Sequence, residues 1–211
     1  MELPAILEAG RREYEELKAG QYQMVEASVR KQDGWENQLV LGENGAFMKA
    51  LLHNENHEKL QMIYIDPPFF TRANHEAVIQ VDRPKADGGA VKGKHLAYGD
   101  TWSNGIGQYL SMLTSRLMLM RDLLADEGTI WVHLDWHAVH YVRLLMDEIF
   151  GAEHFVNEII WTYKSGGSGK KHFARKHDTI LVYSKTKDYY LGAAEAVKGY
   201  AAFVEAVICT T

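Results

Sequence analysis

At 211 residues and 24.0 kDa, with 46% apolar content, the chain has the size of one domain, or of one domain with an appendage, and enough apolar side chain for a core. No run approaches the ~18 apolar residues of a membrane span, and Cys209, the only cysteine, rules out an internal disulfide and a cysteine-based zinc site. The net charge of −5 argues against a uniformly basic nucleic-acid binder.

The N-terminus, Met1-Glu2-Leu3-Pro4, leads into an Arg- and Glu-rich stretch that does not read as a signal peptide, so the cytoplasm is the expected compartment. Residues 2–30 read as a polar helix with few apolar anchors, carrying Glu8, Glu13, Glu15 and Glu16. The resulting division is a helical appendage over 1–37, a main region over 38–190 and a tail over 191–211. Gln38 to Leu41 form a short predicted strand that ends at Gly42-Glu43-Asn44, and a helix follows through Phe47, Ala50, Leu51 and Leu52.

Leu60 to Ile65 is a short apolar run of the kind that fills a strand covered on both faces. It ends abruptly in Asp66-Pro67-Pro68-Phe69. The two prolines fix φ and remove two backbone donors, so the strand stops there and the turn is stiff. A rigid loop at the carboxyl end of a central strand is where open α/β sheets bind ligands. One acceptor, Asp66, next to one flat apolar ring, Phe69, suits a planar heterocycle with an exocyclic amine.

Residues 70–106, with Gly88, Gly89, Gly93, Gly99 and Gly105, show little periodicity and read as one long functional or disordered connection. A helix is predicted from Gln108 to Asp126 with Leu110, Leu113, Leu117, Met120 and Leu124 on one face, then a strand from Thr129 to Leu134 and a helix from His137 to Phe150. Asn157 to Tyr163 and Asp178 to Ser184 are two β-rich runs, spaced as an antiparallel pair. Between Thr162 and His177, Lys164, Lys170, Lys171, Arg175 and Lys176 stand without an acid, a local basic loop on an acidic body. The alternation of strands and helices implies an α/β fold.

Two glycine stretches carry no nucleotide signature. Ser165-Gly166-Gly167-Ser168-Gly169-Lys170 lacks the first glycine of a phosphate loop and has Lys171 where Ser or Thr should stand. Gly105-Ile106-Gly107 has Leu110 in the place of the third glycine of a dinucleotide fingerprint. His133, His137 and His140 form no zinc-binding pattern, so no metal is expected.

Asp66-Pro67-Pro68-Phe69 after an apolar strand resembles the D/N/S-P-P-Y/F/W motif of DNA amino-methyltransferases. Further segments match in register. Leu41-Gly42-Glu43-Asn44 resembles the family's L-x-x-G-D-N element, with Glu where Asp is usual. Tyr98-Gly99-Asp100-Thr101-Trp102 resembles its Y-x-D-x-W element. Tyr109 to Leu124 follows its Y-L…R-L…R-x-L-L helix through Arg116 and Arg121, and Gly128 to His137 its G-x-I-x-V-H-x-D-W-H strand end. His177 to Lys185 resembles the strand that closes the sheet. The pattern is that of the β-class, Mod-type adenine enzymes.

The resemblance implies a partial Rossmann-like methyltransferase sheet, mostly parallel with an antiparallel hairpin on its C-terminal side. It implies S-adenosylmethionine as methyl donor, double-stranded DNA as substrate and adenine N6 as target, with cytosine N4 as the alternative. Asp66, Pro67, Pro68 and Phe69 would be catalytic; Gly42, Glu43, Asn44 and Asp66 would bind the donor. Lys170, Lys171 and Arg175 are candidates for DNA phosphate. Asp135 is open to two readings, facing the pocket or capping the helix that follows.

In the β-class a target-recognition region and an F-x-G-x-G donor loop follow the catalytic half. Here Leu191 to Thr211 is an Ala-rich, helix-like tail, so a truncated or split enzyme is expected. Its partners would be a restriction subunit or a complementary fragment supplying that loop, and in the fragment reading the chain binds DNA or a partner without catalysing transfer.

Overall fold

The computed structural model describes residues 2–20, 40, 42–53, 59–81, 91–164, 171, 173–191 and 207–209. Its elements in chain order are α1 (Leu3–Ala19), α2 (Asn44–His53), β1 (Leu60–Asp66), β2 (Asn74–Val81), β3 (Val91–Gly99), α3 (Ile106–Leu123), β4 (Leu124–Leu134), α4 (Val139–Phe150), β5 (Phe155–Thr162), β6 (His177–Ser184) and β7 (Val207–Cys209).

The main sheet is mixed, in the order β5-β6-β4-β1-β7. β1 pairs in parallel with β4 and with β7, whereas β4–β6 and β5–β6 are antiparallel. Parallel pairing is therefore confined to the half around β1, a more even mixture than the mostly parallel sheet expected. The chain runs from β1 through α3 to its parallel neighbour β4, the helical crossover that parallel strands require. The β5–β6 hairpin forms where the two β-rich runs predict it, with Trp161 opposite Asp178. Its tip, residues 165–170, lies outside the described residues.

Ile63 and Ile65 of β1 and Ile130, Val132 and Leu134 of β4 are buried in one cluster with Leu113, Leu117 and Met120 of α3 and Val142, Leu145 and Met146 of α4. Tyr64 and His133, which alternate with them, are only half-buried. The strand period of two thus commits one face of β1 to the core and leaves Tyr64 and Asp66 on the other. β1 is not buried on both faces as its apolar run predicts.

The crossover is compact at both ends. Gly10 of α1 meets α3 so closely that a Cβ there would stand 2.5 Å from Thr114 Cβ and 2.9 Å from the Ser111 carbonyl oxygen. Four residues of α1, Ile6, Gly10, Tyr14 and Leu17, are buried, enough for the helix to pack on α3 despite its polar composition. Tyr14 donates to Asp122 (2.5 Å), and Lys18 to both (2.8 and 3.1 Å). At the other end the pairing of β1 with β4 shifts register between Leu60 and Met62, so Leu124 and Thr129 both find partners while the residues between bulge out. Gly128 sits in that bulge, where a Cβ would lie 2.8 Å from the Leu60 carbonyl oxygen. Lys185 Nζ donates to the Leu124 carbonyl (2.6 Å) and Thr186 Oγ1 to that of Asp126 (2.8 Å), pinning the bulge from the far side.

Three expectations change. Residues 74–81 and 91–99 form a two-stranded antiparallel ribbon rather than an irregular connection. The run Ala77-Val78-Ile79-Gln80-Val81 is strongly β-favouring, and the surrounding glycines hide it. The tail is not wholly helix-like: Val207–Cys209 lie in parallel beside Tyr64–Asp66, while 192–206 lie outside the described residues. The helix predicted over 2–30 ends at Ala19, where Gly20 turns extended and its N–H caps the Glu16 carbonyl; residues 21–39 and Leu41, with most of the predicted 38–41 strand, lie outside the described residues.

Candidate active site

Asp66 is the last residue of β1, and its side chain is 48% exposed. Pro67 and Pro68 are buried behind it and Phe69 is half-buried. The parallel register sets Ile65 opposite Val132, so the next residues along, Asp66 and His133, come side by side. His133 Nδ1 stands 3.5 Å from Asp66 Oδ1, and its Nε2 3.4 Å from Asp178 Oδ2 on β6. Phe69 meets the same imidazole in an edge-on contact at 5.4 Å between centroids, and Tyr64 lies 6.3 Å away. Tyr163 closes the far side, its hydroxyl donating to Asp178 Oδ1 (3.4 Å).

Burial pushes the Asp66 carboxyl above its ordinary value; His133 opposes that, and the like charge of Asp178 adds to it. The group remains a half-exposed acceptor beside one flat ring, able to take hydrogen bonds from an amine entering from solvent.

Behind Phe69 the chain takes an unusual path. Phe70 and Arg72 both adopt φ of 61°, a left-handed conformation rare for residues with a side chain. Between them Thr71 donates to the fully buried Asp100, through its backbone N–H (2.5 Å) and its hydroxyl (2.8 Å). The Trp102 indole N–H donates to the other oxygen of Asp100 (2.9 Å).

Gly42 and Glu43 precede α2, and Asn44 opens it. Glu43 Oε2 accepts the Ala46 N–H at 2.7 Å, which caps the helix, and Oε1 accepts from Arg116 of α3 at 3.0 Å. Arg116 also pairs with Glu13 of α1, so one guanidinium ties α1, α3 and the turn together. Burial alone would raise the Glu43 carboxyl, but the Ala46 and Gly45 N–H groups and Arg116 outweigh it and hold it below its ordinary value. Among the described residues, nothing lies within 4 Å of where a Gly42 Cβ would stand.

Arg175 lies with its guanidinium 3.9 Å from the centroid of Trp136, which stacks on His137 at 3.6 Å. That brings one predicted phosphate ligand to the end of β4. Lys171 is exposed, and Lys170 lies outside the described residues. Asp135 does not cap α4, whose N-cap is Ala138 with no side-chain cap; it closes the turn before the helix, where its Oδ1 accepts the His137 N–H (2.8 Å), its Oδ2 stands 2.6 Å from His137 Nδ1, and its carbonyl accepts the Val139 N–H (3.2 Å).

Sequence reasoning did not assign His133, Asp178 or Asp100 to this site. His133 was legible only through the strand register. Asp178 is its diagonal neighbour across the antiparallel β4–β6 pair, in which His133 faces Ile180.

With this geometry in place, comparison with known proteins defines the class. Residues 60–204 match the DNA methylase family of N6 and N4 methyltransferases, and this chain belongs to that family. Relatives include the Type II methyltransferase M.EcaI of Enterobacter cloacae, 33% identical over 154 residues, covering 72% of this chain and 30% of the relative. The Mod subunit of the Type III restriction-modification enzyme EcoP15I of Escherichia coli is 27% identical over 164 residues, covering 71% of this chain and 24% of the relative. The Type II methyltransferase M.KpnI of Klebsiella pneumoniae is 26% identical over 155 residues, covering 73% and 34% respectively. The chain therefore spans about a third or less of the length of these relatives. Among the described residues, no helix is long and apolar enough to cross a membrane.

Proposed function

We propose that this chain carries the target-base pocket of an S-adenosylmethionine-dependent DNA methyltransferase acting on adenine N6, built on a Rossmann-like sheet. The observation that supports it most is Asp66: a half-exposed carboxylate at the end of β1, with Phe69 beside it and two buried prolines fixing the loop.

An adenine amine is a weak nucleophile because its lone pair is delocalised into the ring. Asp66 and the Pro67 carbonyl accept the two amine hydrogens, which drives the nitrogen towards tetrahedral geometry and frees the lone pair. S-adenosylmethionine, held at Gly42, Glu43 and Asn44, would supply an electrophilic methyl group and keep the sulfur electron pair; Asp66 takes the surplus amine proton and passes it to water. Phe69 stacks on the base once it leaves the duplex, a step costing a few kcal/mol. Catalysis here is positioning and electrostatics, with no covalent intermediate.

Gly42, Glu43 and Asn44 fit the methyl donor. Gly42 leaves open space among the described residues, and Glu43 is held ionised, with acceptor capacity left beyond the Ala46 and Gly45 N–H groups and Arg116 for a hydroxyl or ammonium group. Arg175 and Lys171, with Lys170, contact DNA phosphate. With DNA as substrate, the cytoplasm is the working compartment. A restriction subunit is the natural partner, since EcoP15I is a restriction-modification enzyme and its matching chain is a Mod subunit.

The family includes N4 as well as N6 enzymes, which keeps cytosine N4 as the second reading. Nucleoside mass spectrometry of DNA from cells expressing the intact gene separates them. N6-methyladenine is expected; N4-methylcytosine alone would overturn the adenine assignment.

A further inference from the structure

Asp100 is a fully buried carboxylate whose three described donors, the Thr71 N–H, the Thr71 hydroxyl and the Trp102 indole N–H, are all neutral. Burying a charged group is costly unless hydrogen bonds replace its water. An amide or an apolar side chain would fill the space more cheaply, so the carboxylate points to a demand for geometry rather than for stability. That demand falls on Thr71, two residues beyond Phe69 and flanked by two left-handed residues, Phe70 and Arg72. A backbone in that conformation persists only where its surroundings hold it.

The surroundings are rigid. Phe70 packs on Tyr109 with centroids 5.7 Å apart, and Trp102 meets Tyr109 edge-on at 5.3 Å. Tyr109 is itself fully buried. This apolar jacket excludes water from the carboxylate and strengthens its hydrogen bonds. Asp100 also follows β3 directly, and its N–H donates to the Ala73 carbonyl (3.1 Å), so the two feet of the β2–β3 ribbon close on each other beside the loop.

We propose that Asp100 is a positioning residue for the methyl-transfer site, holding the outgoing limb of the Asp66–Phe69 loop through Thr71 so that Phe69 and the Asp66 carboxylate face one target base. The proposal rests on the function proposed above. It assigns Asp100 no contact with the base or the methyl donor.

The test compares Asp100→Asn with the wild type in the intact protein. It follows kcat and KM for methyl transfer, thermal stability, and amide hydrogen exchange at Thr71. Misplacing the loop lowers kcat about 10- to 100-fold while KM for DNA holds, and the Thr71 amide exchanges faster. Thr71→Val removes only the hydroxyl donor and gives a smaller loss of kcat, which does not add to that of Asp100→Asn because both act through one contact. Where Asp100→Asn fails to fold, Thr71→Val and Trp102→Phe carry the test, each with a several-fold loss of kcat.

Gly10→Ala, at the α1–α3 contact and outside the loop, serves as a control for lost stability. Equal loss of turnover in Gly10→Ala and Asp100→Asn would overturn the positioning role, as would wild-type kcat in Asp100→Asn. If the wild type transfers no methyl group to adenine, the proposed function fails. The exchange measurement then still decides this inference: a Thr71 amide equally protected in Asp100→Asn and wild type overturns it.

Discussion

His133 stands with Nδ1 3.5 Å from Asp66 Oδ1, because β1 and β4 run in parallel with Ile65 opposite Val132. The imidazole opposes the rise that burial imposes on the Asp66 carboxyl. The proposed transfer needs Asp66 ionised, so activity is expected to increase as pH rises through its raised value, and the acid limb to lie above the ordinary value of an aspartate. His133→Gln removes the opposing influence and moves that limb to higher pH, which a pH profile of kcat/KM checks. An acid limb unchanged in this variant would show that His133 does not act on Asp66.

Glu43 behaves in the opposite sense. Its folded-state value is held below the ordinary one by the Ala46 and Gly45 N–H groups and Arg116, acting against burial. Its stabilising contribution is therefore fully present above the unfolded value of 4.5 and is lost as pH falls through the lower folded value. Glu43→Gln lowers the melting temperature at neutral pH, and the gap from wild type closes in acid. A gap that stays constant with pH would contradict this account of the α2 cap.

The contact between α1 and α3 depends on the absence of one carbon. Alanine is the better helix former by about 1 kcal/mol, yet its Cβ at position 10 would press on Thr114 Cβ and the Ser111 carbonyl, neither of which can swing aside. Gly10→Ala is expected to cost about 1–3 kcal/mol net in chemical denaturation. Thr114→Ala in the same chain does not relieve it, since the colliding Cβ remains. A Gly10→Ala protein more stable than wild type would mean that the two helices are less tightly opposed.

Much of the frame is legible in the amino-acid sequence. The strand ending at Asp66, the amphipathic helix seen as Ile106–Leu123 and the Phe155–Thr162/His177–Ser184 hairpin follow from periodicity and breakers, which act locally. The β2–β3 ribbon escapes because glycines punctuate it, and β7 because alanines precede it. Helix ends move by a few residues: β4 begins at Leu124, where periodicity would continue α3 to Asp126. In the site, Asp66 and Phe69 stand out because the prolines mark them. His133, Asp178 and Asp100 do not, since their meaning lies in partners 67, 45 and 29 positions away (133 − 66, 178 − 133 and 100 − 71), joined only by register and by a turn through left-handed residues.

The central claim is that the Asp66 carboxylate accepts the amine of the target base. Single-turnover methyl transfer by Asp66→Ala in the intact protein, measured with DNA affinity on the same preparation, tests it most directly. The account predicts transfer slower by about 100- to 1,000-fold, as when a preorganised hydrogen-bonding group is removed. DNA affinity, set chiefly by phosphate contacts, is expected to hold. Wild-type turnover in Asp66→Ala would contradict the account.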